Sequence, residues 1–214
     1  MRSKEEVFTW IARSRIVPVI RASSEREATL AVGQLLAGGI DVLEITMTVP
    51  NAIGVMREVS AQHGQNALIG AGTVYDPGTA EACVEAGAQF IVGPCLDIPT
   101  IRFCNGSEVL VSAGALTPTE VATAWREGAD VVKVFPCDAV GGPAYLKSLK
   151  APFPEIPLLP TGGVTLKNVR GYLDSGALAV GVGSNLVNLN FIRQGQSEEL
   201  AVLAREFRLA AGVV

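Results

Sequence analysis

The sequence predicts a single α/β domain spanning residues 1–214: a (β/α)8 TIM barrel with a lead-in helix at its N-terminus. Three observations carry that expectation. Eight short apolar runs alternate with helical patterns at a spacing of roughly 25 residues, the rhythm of parallel βα units. Helical segments repeatedly end in glycine just before the next apolar run, at Gly87, Gly128 and Gly176. No Gly-x-Gly-x-x-Gly follows the first run, which disfavours the open doubly wound alternative.

Taken in order, residues 3–14 read as the lead-in helix, with Val7, Trp10 and Ile11 on one side. Ile16–Ile20 is an apolar strand, and Ser23 or Ser24 caps the helix that runs to Ala37-Gly38-Gly39. Asp41–Thr46 is the second strand, and Pro50, at the first helical position, opens a helix to about Gln62. Ala67–Gly72 is the third strand, followed by a helix from Pro77 to Ala86. Gln89–Gly93 and Glu108–Ala113 are strands four and five, separated by a helix over 98–105. Thr117-Pro118-Thr119-Glu120 has the form of a capping box with proline at N1. The sixth strand, 129–136, leads to a helix over 142–150, and Ile156–Pro160 leads to one over 165–175. The eighth strand is Ala177–Val182, and the last helix covers 197–211.

Composition narrows the function. The chain is 49% hydrophobic and 18% charged, with a net charge of −4, and it has no Lys/Arg-rich run. A nucleic-acid partner is therefore not expected. Apolar stretches are strand-length, so no membrane span is expected, and the N-terminus lacks a signal peptide's apolar core. A cytoplasmic location is the default expectation. Cys83, Cys95, Cys104 and Cys137 form no CxxC pair, which argues for free thiols and against a zinc site. His63 is the only histidine and sits at a helix end, so histidine-based triads are excluded.

Catalytic groups of such barrels gather at the C-terminal ends of the strands. In the sixth strand, Val131, Lys133 and Phe135 share one face and Val132 and Val134 the other. Apolar residues on both faces enclose Lys133, and desolvation disfavours its ammonium form, leaving a nucleophilic amine. The alternative is a lysine that reaches out of the strand end to water. Glu44 is the other ionisable residue expected inside. It lies on the second strand, so alternate-strand layering lets it face Lys133. A purely structural ion pair competes with a nucleophile beside an acid–base carboxyl. Arg21 ends the first strand, Thr73 follows the third, Pro94 the fourth, and Ser112 lies on the fifth. Thr161-Gly162-Gly163 and Gly183-Ser184 end the seventh and eighth, where barrels commonly bind phosphate through backbone amides.

Four stretches then resemble a known family: Leu43-Glu44-Ile45-Thr46, Gly70-Ala71-Gly72-Thr73-Val74, Val132-Lys133-Val134-Phe135-Pro136 and Pro160-Thr161-Gly162-Gly163-Val164. In this order, across essentially the whole chain, they resemble the 2-keto-3-deoxy-6-phosphogluconate (KDPG) aldolases. That group includes 4-hydroxy-2-oxoglutarate aldolases. The resemblance implies a class I aldolase, commonly a homotrimer, that needs no metal or other cofactor. It implies Lys133 as the Schiff-base lysine and Glu44 as the proton shuttle. It also implies that Thr73 and Pro94 line the pyruvate half, with Phe135 beside the imine. Thr161 would face the C4 hydroxyl, and Gly162, Gly163 and Ser184 would hold the phosphate.

One position departs from many members. Where they carry an arginine that helps bind the substrate carboxylate, this chain has Thr48. Arg21 is expected to supply the guanidinium instead, because a carboxylate favours a forked donor. Thr161 leans toward the gluconate substrate, since relatives acting on the galactonate epimer tend to carry valine there. The competing readings are an aldolase for 4-hydroxy-2-oxoglutarate or for the galactonate epimer, another phosphosugar enzyme, and a barrel kept for assembly or ligand binding without turnover.

Overall fold

A computed structural model describes residues 2–213. Its strands are β1 (Ile16–Ile20), β2 (Val42–Thr46), β3 (Leu68–Gly72) and β4 (Phe90–Val92), then β5 (Leu110–Ala115), β6 (Val131–Val134), β7 (Leu158–Pro160) and β8 (Val180–Val182). Every residue in them is buried, as expected of parallel strands covered on both faces. All ladders are parallel, in the order β7-β6-β5-β4-β3-β2-β1-β8. A Thr161–Gly181 bridge joins β7 to β8 and closes the ring.

The helices are α1 (Lys4–Ser14), α2 (Glu25–Ala37), α3 (Ala52–His63), α4 (Pro77–Glu85) and α5 (Ile98–Gly106), then α6 (Pro118–Arg126), α7 (Pro143–Lys150), α8 (Val169–Asp174), α9 (Leu189–Arg193) and α10 (Glu198–Ala210). Their starts follow from side-chain caps. Ser24 accepts from the Glu27 amide at α2, and Thr117 with Glu120 forms the expected capping box at α6. Gly87, Gly128 and Gly176 take positive φ just after α4, α6 and α8, where an L side chain would be strained.

Two apolar cores result. Outward strand residues such as Ile16, Ile45, Val132 and Val134 pack under the helices. Inward residues Val17, Val42, Leu68, Phe90, Leu110, Val131, Leu159 and Ala179 fill the barrel, together with Val7 and Ile11 of α1. The lead-in helix therefore plugs the N-terminal end, and α1 is itself started by a Ser3–Glu6 capping box. Only the C-terminal end is left for chemistry.

Local differences from the sequence reading have local causes. Pro50 precedes the α3 cap: Asn51, at φ 49°, is the N-cap and the helix begins at Ala52. Glu108, at φ 57°, turns the chain so that β5 starts at Leu110. Residues 165–168 form a turn, in which the Asn168 carboxamide accepts from the Thr165 amide at 2.7 Å. The short helix α9 was not anticipated.

Candidate active site

In such a barrel, alternate strands contribute the residues of each interior layer, with a stagger of about one residue per strand. The observed pairings then put Glu44, Val92, Lys133 and Gly181 in one layer. Above it, toward the open end, lie Val19, Gly72, Gly114 and Thr161, and above those Thr46, Pro94, Phe135 and Gly183. Below lie Val17, Gly70, Ser112 and Leu159. The two residues singled out for chemistry thus meet at one height from opposite walls.

Lys133 Nζ stands 3.8 Å from Glu44 Oε1, with the two side chains 2% and 1% exposed. Among the described residues, neither Glu44 carboxyl oxygen has a hydrogen-bond partner. Burial pushes the Glu44 carboxyl above its ordinary range, and the charges of Lys133 and Arg21 pull it part of the way back. A carboxyl that keeps its proton to higher pH is suited to both giving and taking protons near neutrality. Lys133 Nζ also lies 5.3 Å from the centroid of the Phe135 ring, so the aromatic face flanks the amine.

Gly72 makes this arrangement possible. A Cβ there would come within 2.6 Å of Glu44 Cδ and Cγ, so the carboxyl side chain occupies the space a larger residue would need. The sequence held a signal for it: a glycine beside Glu44 on the neighbouring strand, on the same inward face.

The remaining residues distribute around the rim. Arg21 is exposed, with Nη1 3.6 Å from where a Cβ of Gly183 would sit. Thr48 is exposed and its hydroxyl lies 2.7 Å from that of Thr46, which also bonds the Ile20 carbonyl. Thr73 and Pro94 are half-buried at the tops of β3 and β4. Thr73 holds φ at 63°, a left-handed conformation costly for a β-branched residue, and such strain concentrates at functional sites.

Thr161 is buried, and Gly162 and Gly163 adopt φ of 102° and 64°. The carbonyl of Gly163 accepts from Asn168 Nδ2 and that of Val164 from Asn185 Nδ2, both at 2.9 Å. Among the described residues, the amides of Gly163, Val164, Ser184 and Asn185 donate to no protein acceptor. Two loops therefore present free N–H groups at the β7 and β8 ends, an arrangement that suits an anion. Asp138 packs against both glycines, which leaves no room for side chains there. Asn168 and Asn185 were not singled out from sequence; their only signal was an asparagine shortly after each glycine loop. The cysteines take no part. All four are free, and burial pushes Cys83, Cys104 and Cys137 up to about 11, about 12 and about 11.

A model of the KDPG and KHG aldolases matches residues 7–203 of this chain. The chain belongs to that family. It is 39% identical over 167 residues to the 2-dehydro-3-deoxy-phosphogluconate aldolase of Pseudomonas aeruginosa, covering 78% of this chain and 76% of that one. It is 33% identical over 202 residues to the 2-dehydro-3-deoxy-6-phosphogalactonate aldolase of Escherichia coli, covering 94% and 98%. Among solved structures, it resembles the KDPG aldolase of Legionella pneumophila with pyruvate captured as a covalent carbinolamine. The TM-score is 0.86 at 32% identity, covering 92% of this chain and 96% of that one. For this aldolase-family chain, the position of Lys133 against Glu44 takes on a direct chemical meaning.

Proposed function

We propose that the protein is a class I aldolase that cleaves 2-dehydro-3-deoxy-6-phosphogluconate to pyruvate and glyceraldehyde 3-phosphate. The observation that carries this reading is the enclosed Lys133–Glu44 pair, 3.8 Å apart beneath the open end of the barrel. The neutral amine of Lys133 attacks the C2 ketone, water leaves, and a protonated imine forms. Glu44, through a water, takes the proton of the C4 hydroxyl, and the C3–C4 bond breaks into the electron sink of the imine. Glyceraldehyde 3-phosphate departs, Glu44 returns a proton to C3 of the enamine, and hydrolysis frees pyruvate.

The rim residues take the rest of the substrate. Arg21 pairs with the carboxylate, with Thr48 beside the same end of the barrel. Thr73, Pro94 and Phe135 enclose the pyruvate half, and Thr161 meets the C4 hydroxyl. Gly162, Gly163 and Ser184 line the phosphate site, with the free N–H groups of Gly163 and Ser184 as donors. The likeness to the P. aeruginosa enzyme supports the gluconate substrate, and the likeness to the E. coli enzyme supports the galactonate epimer as the second reading. Pyruvate release measured with both epimers and with 4-hydroxy-2-oxoglutarate tests the choice. Highest kcat/KM on the gluconate compound is expected, and a preference for either other substrate overturns it. The active form in this reading is a cytoplasmic homotrimer. Family resemblance and exposed apolar side chains such as Tyr75 and Trp125 support the assembly. A monomer mass by analytical ultracentrifugation contradicts it. Among the described residues, no helix is long and apolar enough to cross a membrane.

A further inference from the structure

The free N–H groups at the β7 and β8 ends are braced by two side chains that the bond-breaking steps do not use. A peptide unit is planar and trans, so its N–H points opposite to its C=O. In the unit joining Gly163 to Val164, the carbonyl accepts from Asn168 Nδ2 at 2.9 Å. The Val164 N–H, which donates to no protein acceptor among the described residues, is thereby turned away from Asn168. In the next unit both ends are occupied. The Val164 carbonyl accepts from Asn185 Nδ2 at 2.9 Å, and the Thr165 amide donates to Asn168 Oδ1 at 2.7 Å. Two successive peptide planes are therefore fixed by two carboxamides.

This restraint acts where the backbone is otherwise loosest. Gly162 and Gly163 hold φ of 102° and 64°, and a glycine pair left to itself samples many orientations. Asn168 is the N-cap residue of α8, yet its side chain makes no cap bond to that helix and reaches back into the loop instead. Asn185 follows Ser184 in the loop after β8, so its bond to Val164 ties one loop to the other. The carboxamides thus set where the Val164 N–H stands relative to the free amide of Ser184.

We propose that Asn168 and Asn185 are positioning residues that make the site prefer a phosphate monoester. They pre-set the peptide planes so that the Val164 N–H joins those of Gly163 and Ser184 on one dianion. The inference rests on the phosphorylated substrate of the reading above. Successive backbone N–H groups make a concave anion site only while their peptides keep one orientation, and donors that need no reordering bind more tightly. Neither carboxamide touches the phosphate; each acts through the peptide it holds.

The test compares wild type with Asn168→Ala, Asn185→Ala and the double variant. Pyruvate release is measured from 2-dehydro-3-deoxy-6-phosphogluconate and from the same acid without its phosphate, and the readout is the ratio of the two kcat/KM values. Poor folding lowers both values together and leaves the ratio alone, so the ratio reads the phosphate site apart from stability. Each single variant should lower the ratio by about three- to tenfold, the size of one lost hydrogen bond, through a higher KM for the phosphorylated substrate. The double variant should lower it by about tenfold or more. Variants that keep the wild-type ratio, whatever their melting temperature, overturn the inference, because the asparagines then only brace the loops. A wild-type ratio near one is a different failure: it sinks the phosphorylated-substrate reading, and the inference falls with it.

Discussion

Adding one methyl group at Gly72 provides a sharp test of how the barrel places its acid–base group. A Cβ at this position would lie 2.6 Å from Glu44 Cδ and Cγ, whereas carbon atoms pack at about 3.5–4.0 Å. The carboxyl must therefore retreat by about 1 Å or more, toward walls that leave its side chain 1% exposed. A displacement of that size costs about a hundredfold in rate, or about 2.7 kcal/mol of transition-state stabilisation. Gly72 does not hold a positive φ, so alanine fits the strand backbone and the penalty in stability is that of overpacking, about 1–3 kcal/mol. Lys133 is untouched, so Gly72→Ala should still form the imine with pyruvate while losing aldol cleavage and exchange of the pyruvate C3 protons with solvent. Single-turnover trapping beside steady-state cleavage reads both halves. A variant with normal cleavage, or one that loses trapping together with cleavage, refutes the placement of Glu44 against Gly72.

Two further outcomes follow from charge. Arg21→Ala should weaken pyruvate binding by about ten- to a hundredfold, as expected for a lost charge-assisted bond, with Arg21→Lys in between; unchanged affinity in a trapping titration contradicts the carboxylate role. The double variant Glu44→Leu/Lys133→Met should be inactive yet more stable than the parent by about 1–4 kcal/mol, because apolar side chains replace a buried ionisable pair whose carboxyl, among the described residues, accepts no hydrogen bond. Its advantage has a pH signature. Glu44 holds its proton more tightly folded than unfolded, so that group's contribution is largest below the unfolded carboxyl range and is lost as pH rises through the folded value. Urea unfolding should show the gain of the double variant growing over that window, and a constant or shrinking gain is the contrary result.

Much of this was legible in the chain because the barrel imposes simple periodicities. Parallel strands buried on both faces read as apolar runs, and a charged residue inside one, such as Lys133 or Glu44, has to be explained. Alternate-strand layering then brought the two together without any contact being visible in the sequence. Less legible was whatever depended on local torsion. The turn at Glu108, the cap at Asn51 and the left-handed Thr73 arise from positive φ values, uncommon outside glycine, that hydrophobic periodicity does not signal. Helix α9 is only five residues long, too short for a periodic signal. The role of Gly72 was only half legible: a glycine on the strand next to Glu44 is visible in the chain, but the register that lays the Glu44 side chain over it is not.

The central claim is that Lys133 carries the substrate. Incubation with pyruvate, reduction with borohydride and peptide mass mapping tests it most directly. The account predicts one reduced pyruvate adduct, on the peptide holding Lys133, abolished in Lys133→Met. An adduct on Lys4, Lys147, Lys150 or Lys167 instead, or no adduct at all, contradicts it.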